Sequence, residues 1–535
     1  MKMANRRATR NELRLCFNRF LNDTKDDFFP DPIRYKDLSI IKEEIVYHLQ
    51  QTINNTINQP RVIYPVKQHY PGDVPKSNFV IRQGCSFHPY DMIVFHFILN
   101  RLVPVIEPIL TKARYSYRIH NHRDVELFNR PPTKNWLDFK TDIKAFFNEN
   151  SEYNYLVSTD VAGFFEYIQL QHFKRQLLNL TRNEEKQTIE LLNSMLKEFH
   201  RGSVSGIPQN CDPFSYLCTA FLHYLDKELE IRGIKHFRYV DDIKVACKTE
   251  NDSKQVIITI IHLLRQMNLN LNAAKTEILK KGNTKYIEFT DDFPHLLSIV
   301  DKAINTKSKD DLEYYAQELV ELTKDTIKNH EDNDRLFRAC INRLRKIYRF
   351  KNINKPKIDY IVKKCLYLME SKPLRSKNFL SFISLDNHKK YVQDGLFIIL
   401  KNCIYSWQEM WIWNLLIQSP KIKNERLMQT ARVRSRDDSY DEAARNFVYL
   451  FLGKHGDNLD RKYISERFNI STSFREKRAI LIAIQEYPEN NMIYNLVTPE
   501  RAEPILVSLV KYIKQLTKPE YVYEDSYELS LEEFY

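Results

Sequence analysis

Apolar positions change their period along the chain. In the first sixty residues Leu13, Cys16, Phe17 and Phe20 recur at helical spacing in a polar background, which predicts helices. Between residues 60 and 75, Pro65, Pro71, Gly72 and Pro75 predict an irregular stretch. Phe79-Val80-Ile81-Arg82 reads as a short strand. An apolar helix follows over about 90–103 with Ile93, Val94, Phe97, Ile98 and Leu102, to be ended or kinked by Pro104 and Pro108. From 150 to about 290 the pattern predicts strand, helix, helix, strand, strand, helix, strand. Beyond 290 it is amphipathic and helical, over 311–323, 334–350, 392–417, 441–452, 474–486 and 502–516. Leu336, Cys340, Leu344 and Ile347 mark one such apolar stripe. So many helices in succession predict a bundle or an α-solenoid of helix pairs without a fixed period.

A chain of 535 residues exceeds one ordinary core. Four segments are expected: an N-terminal helical extension with further mixed elements (1–150), a mixed α+β segment (151–290), an all-α region (291–518) and an acidic, tyrosine-rich tail (519–535).

Charge changes this picture by naming a class of partner. The formal net charge is +12 and the sequence pI about 9.0, an excess that favours a polyanion, the plain alternative being a soluble basic protein. The eight cysteines, Cys16, Cys85, Cys211, Cys218, Cys247, Cys340, Cys365 and Cys403, form no C-x-x-C pair. Neither a zinc ribbon nor a disulfide framework is expected, which suits a reducing cytosol. No apolar run reads as long enough to span a bilayer, and no apolar stretch follows the basic residues 1–7. A cytoplasmic protein without a membrane is the expectation.

Candidate chemistry centres on Phe237-Arg238-Tyr239-Val240-Asp241-Asp242-Ile243-Lys244-Val245. Two apolar runs flanking two acids predict a β-hairpin with Asp241 and Asp242 at its tip. Alone, this is an ordinary hairpin with a polar turn. It has company. Upstream, the strand Tyr155-Leu156-Val157-Ser158-Thr159 ends on Asp160, with Phe164 and Phe165 just beyond. Gly206-Ile207-Pro208-Gln209 lies between, and Leu269-Asn270-Leu271-Asn272-Ala273-Ala274-Lys275-Thr276 lies downstream. Neighbouring carboxylates repel one another, and Mg²⁺ relieves that repulsion while keeping positions for substrate phosphates.

In that order the four pieces resemble motifs A, B, C and D of the reverse transcriptases, over roughly residues 75–285. The resemblance implies a fingers–palm polymerase fold and RNA-directed DNA polymerase activity. Asp160, Asp241 and Asp242 would be catalytic and, with the Val161 carbonyl, would hold two Mg²⁺, with Mn²⁺ as a substitute. Phe165 stands at the steric-gate position and implies dNTP use. Gln209 and Tyr239 would line the nucleotide site, and Lys275 matches the motif D lysine, a proton donor to pyrophosphate or a phosphate contact. Arg82 matches the first triphosphate-binding arginine of the intron enzymes. The second falls at Met92, which is not basic, leaving Arg118 of Tyr115-Ser116-Tyr117-Arg118, or Lys76, in that role. Motif B continues Asn210-Cys211-Asp212-Pro213 where relatives carry Gly and later Ser.

Beyond the palm, Arg335, Arg338, Arg343, Arg345, Lys346 and Arg349 crowd one region with Tyr348 and Phe350. Arg343, Arg345 and Arg349 are candidates for binding nucleic acid, against a solvated helix face. Trp407, Trp411 and Trp413 read as helix core, with base stacking as the alternative. The tail offers Tyr521, Tyr523, Tyr527 and Tyr535 as priming hydroxyls, against a solvated appendage. A palm followed by a long helical region resembles the abortive-infection and related defence-associated reverse transcriptases of bacteria. That resemblance implies an anti-phage role, homo-oligomers, and nucleic-acid partners: an RNA template or non-coding RNA and a DNA product. A group II intron-like or retron-type enzyme copying a dedicated RNA, an RNA-directed RNA polymerase and a non-catalytic nucleic-acid-binding scaffold stay open as alternatives.

Overall fold

A computed structural model describes residues 7–59, 62–76, 79–125, 128–200, 206–209, 211–290, 295–329 and 334–523. Contacts divide the chain into two units. One comprises Met1–Asp23, Lys42–His69 and Phe87–Asp291; the other comprises Thr24–Ile41, Tyr70–Ser86 and Asp292–Tyr535. Two early segments thus fold with the C-terminal helices, a crossing for which local pattern gives no signal.

The described strands are β1 (Tyr70–Pro75), β2 (Ile81–Ser86), β3 (Tyr155–Asp160), β4 (His236–Tyr239), β5 (Asp242–Cys247) and β6 (Glu277–Lys280). In the first unit, β4-β5-β3-β6 form one antiparallel sheet. Leu156 pairs with both Ala246 and Leu279, and all three pack against Phe139, Ile143 and Phe147 of the helix Pro132–Glu149. Alternation along the strands leaves Val157 and Val245 on the other face; both are buried, and the helix Glu250–Gln266 packs on β3 and β5. That helix starts in a capping box of Thr249 and Asp252.

The N-terminal helices Arg10–Asp23 and Lys42–Asn58 pack together, and both pack on Pro89–Ile106. Pro104 lies inside that last helix rather than ending it. With the turn that follows, Pro89–Ile109 is long and apolar enough to cross a membrane by length and composition, against the expectation of no such run; 61% of its window is buried in the protein.

In the second unit everything outside the β1–β2 hairpin among the described residues is helical or irregular, from His295–Thr306 to Pro504–Gln515. The α-helical region beyond 290 is therefore as expected, although His295–Thr306, Asp359–Ser371, Ser376–Ile383, Glu425–Ser435 and Asn458–Ile470 were not foreseen. The expected helix 392–417 is two, Lys390–Asn402 and Ser406–Gln418. No Pro or Gly marks the break. Cys403 donates to Gln408 Oε1 and the Tyr405 carbonyl, and the Tyr405 hydroxyl donates to the Phe79 carbonyl. Trp407, Trp411 and Trp413 are buried, and Trp407 donates to the Phe28 carbonyl at 3.0 Å, so helix core is their role rather than base stacking.

The stretch expected to be irregular contains β1, despite Pro71, Gly72 and Pro75. A two-stranded hairpin consists of edge strands, which tolerate proline, and the Phe29 ring occupies the space a Cβ at Gly72 would need. The segment Thr24–Ile41 is held by a buried clasp. Arg478 Nε bonds Asp31 at 2.7 Å, and Nη1 and Nη2 bond Asp37 at 2.9 and 2.8 Å. All eight cysteines lie among the described residues, and none is in a disulfide.

Candidate active site

The register of β3 against β5 sets Asp160 directly opposite Asp242. Asp242 is the first residue of β5 and pairs with Tyr239, so the hairpin tip is Val240-Asp241 and not the two acids together. Three carboxylates therefore gather at one end of the sheet, two on neighbouring strands and one in the turn.

Asp160 is mostly covered, with 15% of its side chain exposed. Oδ2 accepts from Lys275 Nζ at 2.7 Å, and Oδ1 is buried with no hydrogen-bond partner. Burial pushes the Asp241 carboxyl up to about 6. Its own backbone bond and Lys275 pull it down, while the charges of Asp160 and Asp242 raise it further. Burial pulls the Lys275 ammonium down, and the hydrogen bond and charge of Asp160, with the charges of Asp241 and Asp242, more than offset it. The lysine arrives there because Asn272 N–H bonds the Asp160 carbonyl at 2.9 Å and Ala162 N–H bonds the Asn270 carbonyl at 2.8 Å. These bonds lay residues 270–272 beside the end of β3. The short turn Ala273–Lys275 then carries the ammonium over it.

Divalent cations suit this donor set. It consists of hard carboxylate oxygens, one of them buried and without a partner, and burial together with the charges of Asp160 and Asp242 raises Asp241. Among the described residues no three His, Cys, Asp or Glu side chains form a ready metal cluster; lysines hold two of the three acids. The residues present to ligate are Asp160, Asp241 and Asp242, with Val161 buried beside Leu271 in an isolated bridge.

Gly163, at φ 52°, turns the chain from β3 into the short helix Phe164–Tyr167, and the Tyr167 ring fills the space a Cβ would need. Phe164 is buried and Phe165 half-buried, their rings 5.2 Å apart. The motif B loop is tied to this helix: Ile207 N–H donates to the Phe165 carbonyl at 2.7 Å and Gly206 N–H to the Ile168 carbonyl at 2.9 Å. Gln209 is half-buried on the same loop. Tyr239 packs edge-on against Trp136 at 5.0 Å, in an aromatic cluster with Phe139.

Arg118 is engaged by Glu107 (3.1 Å) and the Arg114 carbonyl (3.1 Å). Glu107 also accepts from Arg114 and Tyr216. Arg82 belongs to the second unit, on β2, with its guanidinium 4.7 Å over the Phe28 ring. Lys76 follows β1 in that unit, and Met92 is buried. Sequence reasoning passed over Lys244. It is buried, and donates to Asp242 Oδ1 at 2.6 Å and Ser158 Oγ at 2.7 Å. The signal was present, since residues two apart on a strand share a face.

Among curated proteins none matches the chain. Of solved structures, telomerase from Candida albicans with a TWJ fragment of telomeric RNA is similar at 12% identity and a TM-score of 0.30, over 71% of this chain and 66% of that one. Apo telomerase from Candida tropicalis is similar at 10% identity and a TM-score of 0.31, over 87% and 73%. The chain thus spans about two thirds to three quarters of their length, and scores this low say nothing of a shared overall arrangement. Residues 93–290 match the family model described as reverse transcriptase (RNA-dependent DNA polymerase). That stretch contains Asp160, the Gly206–Gln209 loop, Asp241, Asp242 and Lys275, and it makes this chain the carrier of a reverse transcriptase domain, the domain of an RNA-directed DNA polymerase.

Proposed function

We propose that the chain adds dNTPs to a growing DNA strand, with Asp160, Asp241, Asp242 and the Val161 carbonyl as the residues that hold two divalent cations. The observation that carries this reading is the register that sets Asp160 opposite Asp242 beside the Asp241 turn, with a buried Asp160 oxygen lacking any partner. Mg²⁺ or Mn²⁺ bound there would supply Lewis-acid activation of the attacking 3′-oxygen and of the leaving pyrophosphate. The chain's own residues do the positioning. Lys275, already poised over the acids, meets the phosphates as a charge and a proton donor. Phe165 closes the space of a ribose 2′-hydroxyl, and the loop Gly206–Gln209 presses on the new base pair. Tyr239 backs the turn. Arg118 is the arginine proposed for the triphosphate.

The partners on this reading are dNTPs, an RNA template or non-coding RNA, and the DNA product. In functional terms residues 1–150 supply the extension and fingers, 151–290 the palm, 291–518 the helical partner domain and 519–535 the tail. The joining of a reverse transcriptase domain to a region whose described elements are helices supports an anti-phage, abortive-infection type of enzyme acting as a homo-oligomer.

Incorporation of labelled dNTPs on a primed RNA template in Mg²⁺ tests the core of this reading. Asp160→Ala and Asp241→Ala should each lower it by at least about 10³-fold, a loss of roughly 4 kcal/mol of transition-state stabilisation, with unchanged melting temperature. Wild-type incorporation by either variant would overturn it.

A further inference from the structure

Val240 stands in the left-handed backbone region, at φ 55°. A β-branched residue rarely adopts it. The first central position of a two-residue hairpin turn ordinarily goes to Gly, Asn or Asp for this reason. Local preference therefore does not set the turn; its surroundings do. The Val240 N–H donates to Ser116 Oγ at 2.7 Å, and the Val240 carbonyl accepts from Arg238 Nη1 at 2.6 Å.

Neither anchor is loose. Ser116 is fully buried, and the Arg238 side chain has no exposed surface. Arg238 Nε donates to Asp226 Oδ1 at 2.7 Å, and Nη2 donates to Asp226 Oδ2 and, at 3.1 Å, to the Thr219 carbonyl. Ser116 is carried on a segment sewn to the same strand. Arg238 N–H bonds the Ala113 carbonyl at 2.7 Å, and Tyr115 N–H bonds the Arg238 carbonyl at 2.9 Å. One strand residue, Arg238, thus organises both grips.

Strain of this kind persists only where the surroundings over-determine it. Here it falls on the residue just before Asp241, so fixing the peptides on either side of Val240 aims the Asp241 carboxylate. We propose that Ser116 and Arg238 are positioning residues for nucleotidyl transfer, holding the two peptides that flank Val240, Ser116 the one before it and Arg238 the one that leads into Asp241, and through them the Asp241 carboxylate. The proposal rests on the polymerase reading above.

Ser116→Ala is the first test, because it removes one acceptor and little volume. Arg238→Gln would strand the buried Asp226 and is unsuited. Misplacement of a reacting group by an ångström lowers rate by about 10²-fold, and kcat of Ser116→Ala should fall by that order. Affinity for primer–template should hold, and the melting temperature should fall only by the small amount that one lost hydrogen bond brings. The Mg²⁺ concentration for half-maximal rate should rise, and Mn²⁺ binding followed by electron paramagnetic resonance should weaken. A glycine in place of Val240 adopts positive φ without strain. In a Val240→Gly background the same Ser116→Ala change should therefore cost less than about tenfold. Wild-type kcat and Mn²⁺ affinity in Ser116→Ala would overturn the proposal. So would a loss of kcat matched by lost folding and primer–template binding, and so would an equal loss in the Val240→Gly background. Asp241→Ala run alongside separates the two claims. If it abolishes incorporation while Ser116→Ala does not, only the brace falls; if it leaves incorporation intact, the polymerase reading itself falls.

Discussion

Lys244 sets its ammonium 2.6 Å from Asp242 and 2.7 Å from Ser158 Oγ, with 7% of its side chain exposed. Asp242 thereby has a covered counter-ion of its own, whereas Asp160 and Asp241 face the more exposed Lys275. Removing one partner of a covered ion pair leaves the other charge poorly solvated. Lys244→Met should lower stability by about 1–3 kcal/mol, the range reflecting the partial exposure of Asp242. Asp242→Asn added to it should recover most of that loss. Urea unfolding of the wild type, both single variants and the double variant measures the coupling; additive losses would show that the pair does not act as a unit.

Sugar choice provides a second test. Phe164 is in the core while Phe165 is half-buried, on a helix turn fixed by Gly163 and the motif B loop. Phe165→Ala should raise rNTP incorporation relative to dNTP by about tenfold to a hundredfold, the scale on which a shaped apolar wall discriminates. Phe164→Ala should instead lower stability, by about 3 kcal/mol or more. A dNTP:rNTP ratio that does not move in Phe165→Ala would make that ring a packing residue.

The three arginines singled out for nucleic acid stand in different surroundings. Arg343 bonds Asp301 at 3.0 and 2.7 Å and the Ala339 carbonyl at 3.1 Å, with 13% of its side chain exposed. Arg345 is half-buried and Arg349 exposed. Reversing charge at 345 and 349 should weaken RNA binding and flatten the slope of log K against log salt by about one for each phosphate no longer neutralised. Arg343→Glu should chiefly lower the melting temperature, because it sets a carboxylate against Asp301. An unchanged salt slope in the Arg345→Glu, Arg349→Glu double variant would leave these residues as a solvated face.

The chemistry was more legible than the architecture around it. Asp160 and Asp241 announce themselves because acids at strand ends and turns break an apolar pattern, and that pattern survives in β3, β4 and β5; Lys275 is picked out only by its match to motif D. Lys244 was overlooked because a lysine inside a strand looks like the polar half of an alternating pattern; only burial reveals it facing an acid. β1 was hidden by Pro71, Gly72 and Pro75, whose local preference yields to pairing with β2 and the Phe29 ring. The break at Cys403 and the Arg478 clasp on Asp31 and Asp37 depend on residues far apart in sequence. No window of neighbouring residues contains that information.

Two histidines, His96 buried and His455 half-buried, make stability depend on acid. Burial pulls His455 down to about 4; Lys454 lowers it further, while the carbonyls of Leu416 and Ile417 raise it. Burial likewise pulls His96 down to about 3, against Asp212, with Arg19 lowering it further. Both folded values lie below the unfolded value near 6.5. Their stabilising effect is therefore complete above about pH 6.5 and is lost as pH falls toward 4 and 3, because the unfolded chain binds the proton first. For His455 the loss is on the order of 3 kcal/mol. Unfolding at pH 7.5, 5.5 and 4.5 should show a shallower acid slope in His455→Gln than in the wild type; parallel slopes would mean that His455 is protonated in the folded state.

The tail begins as structure. Glu520 exchanges two hydrogen bonds with Gln485 and accepts from the Tyr512 hydroxyl at 2.7 Å. The Tyr521 phenol is buried and donates to Glu486 at 2.7 Å and to the Gly453 carbonyl at 3.2 Å, and burial with Glu486 holds it far above an ordinary phenol. Tyr523 N–H bonds the Pro32 carbonyl at 2.7 Å, and Arg34 and Lys36 lie over its ring at 4.2 and 4.7 Å. Tyr527 and Tyr535 lie outside the described residues. A priming hydroxyl must be free to enter the site of the metal-binding acids and must lose its proton, and the docked Tyr521 phenol is held against both. Tyr521→Phe should lower stability by about 1–2 kcal/mol through the lost buried hydrogen bond. It should leave any DNA that stays on the protein through denaturation and phenol extraction. If the tail primes synthesis, the Tyr527→Phe, Tyr535→Phe double variant should lose that adduct. An adduct abolished by Tyr521→Phe alone would mean that the tail undocks to work, and an adduct that survives changing all four tyrosines would put the primer elsewhere.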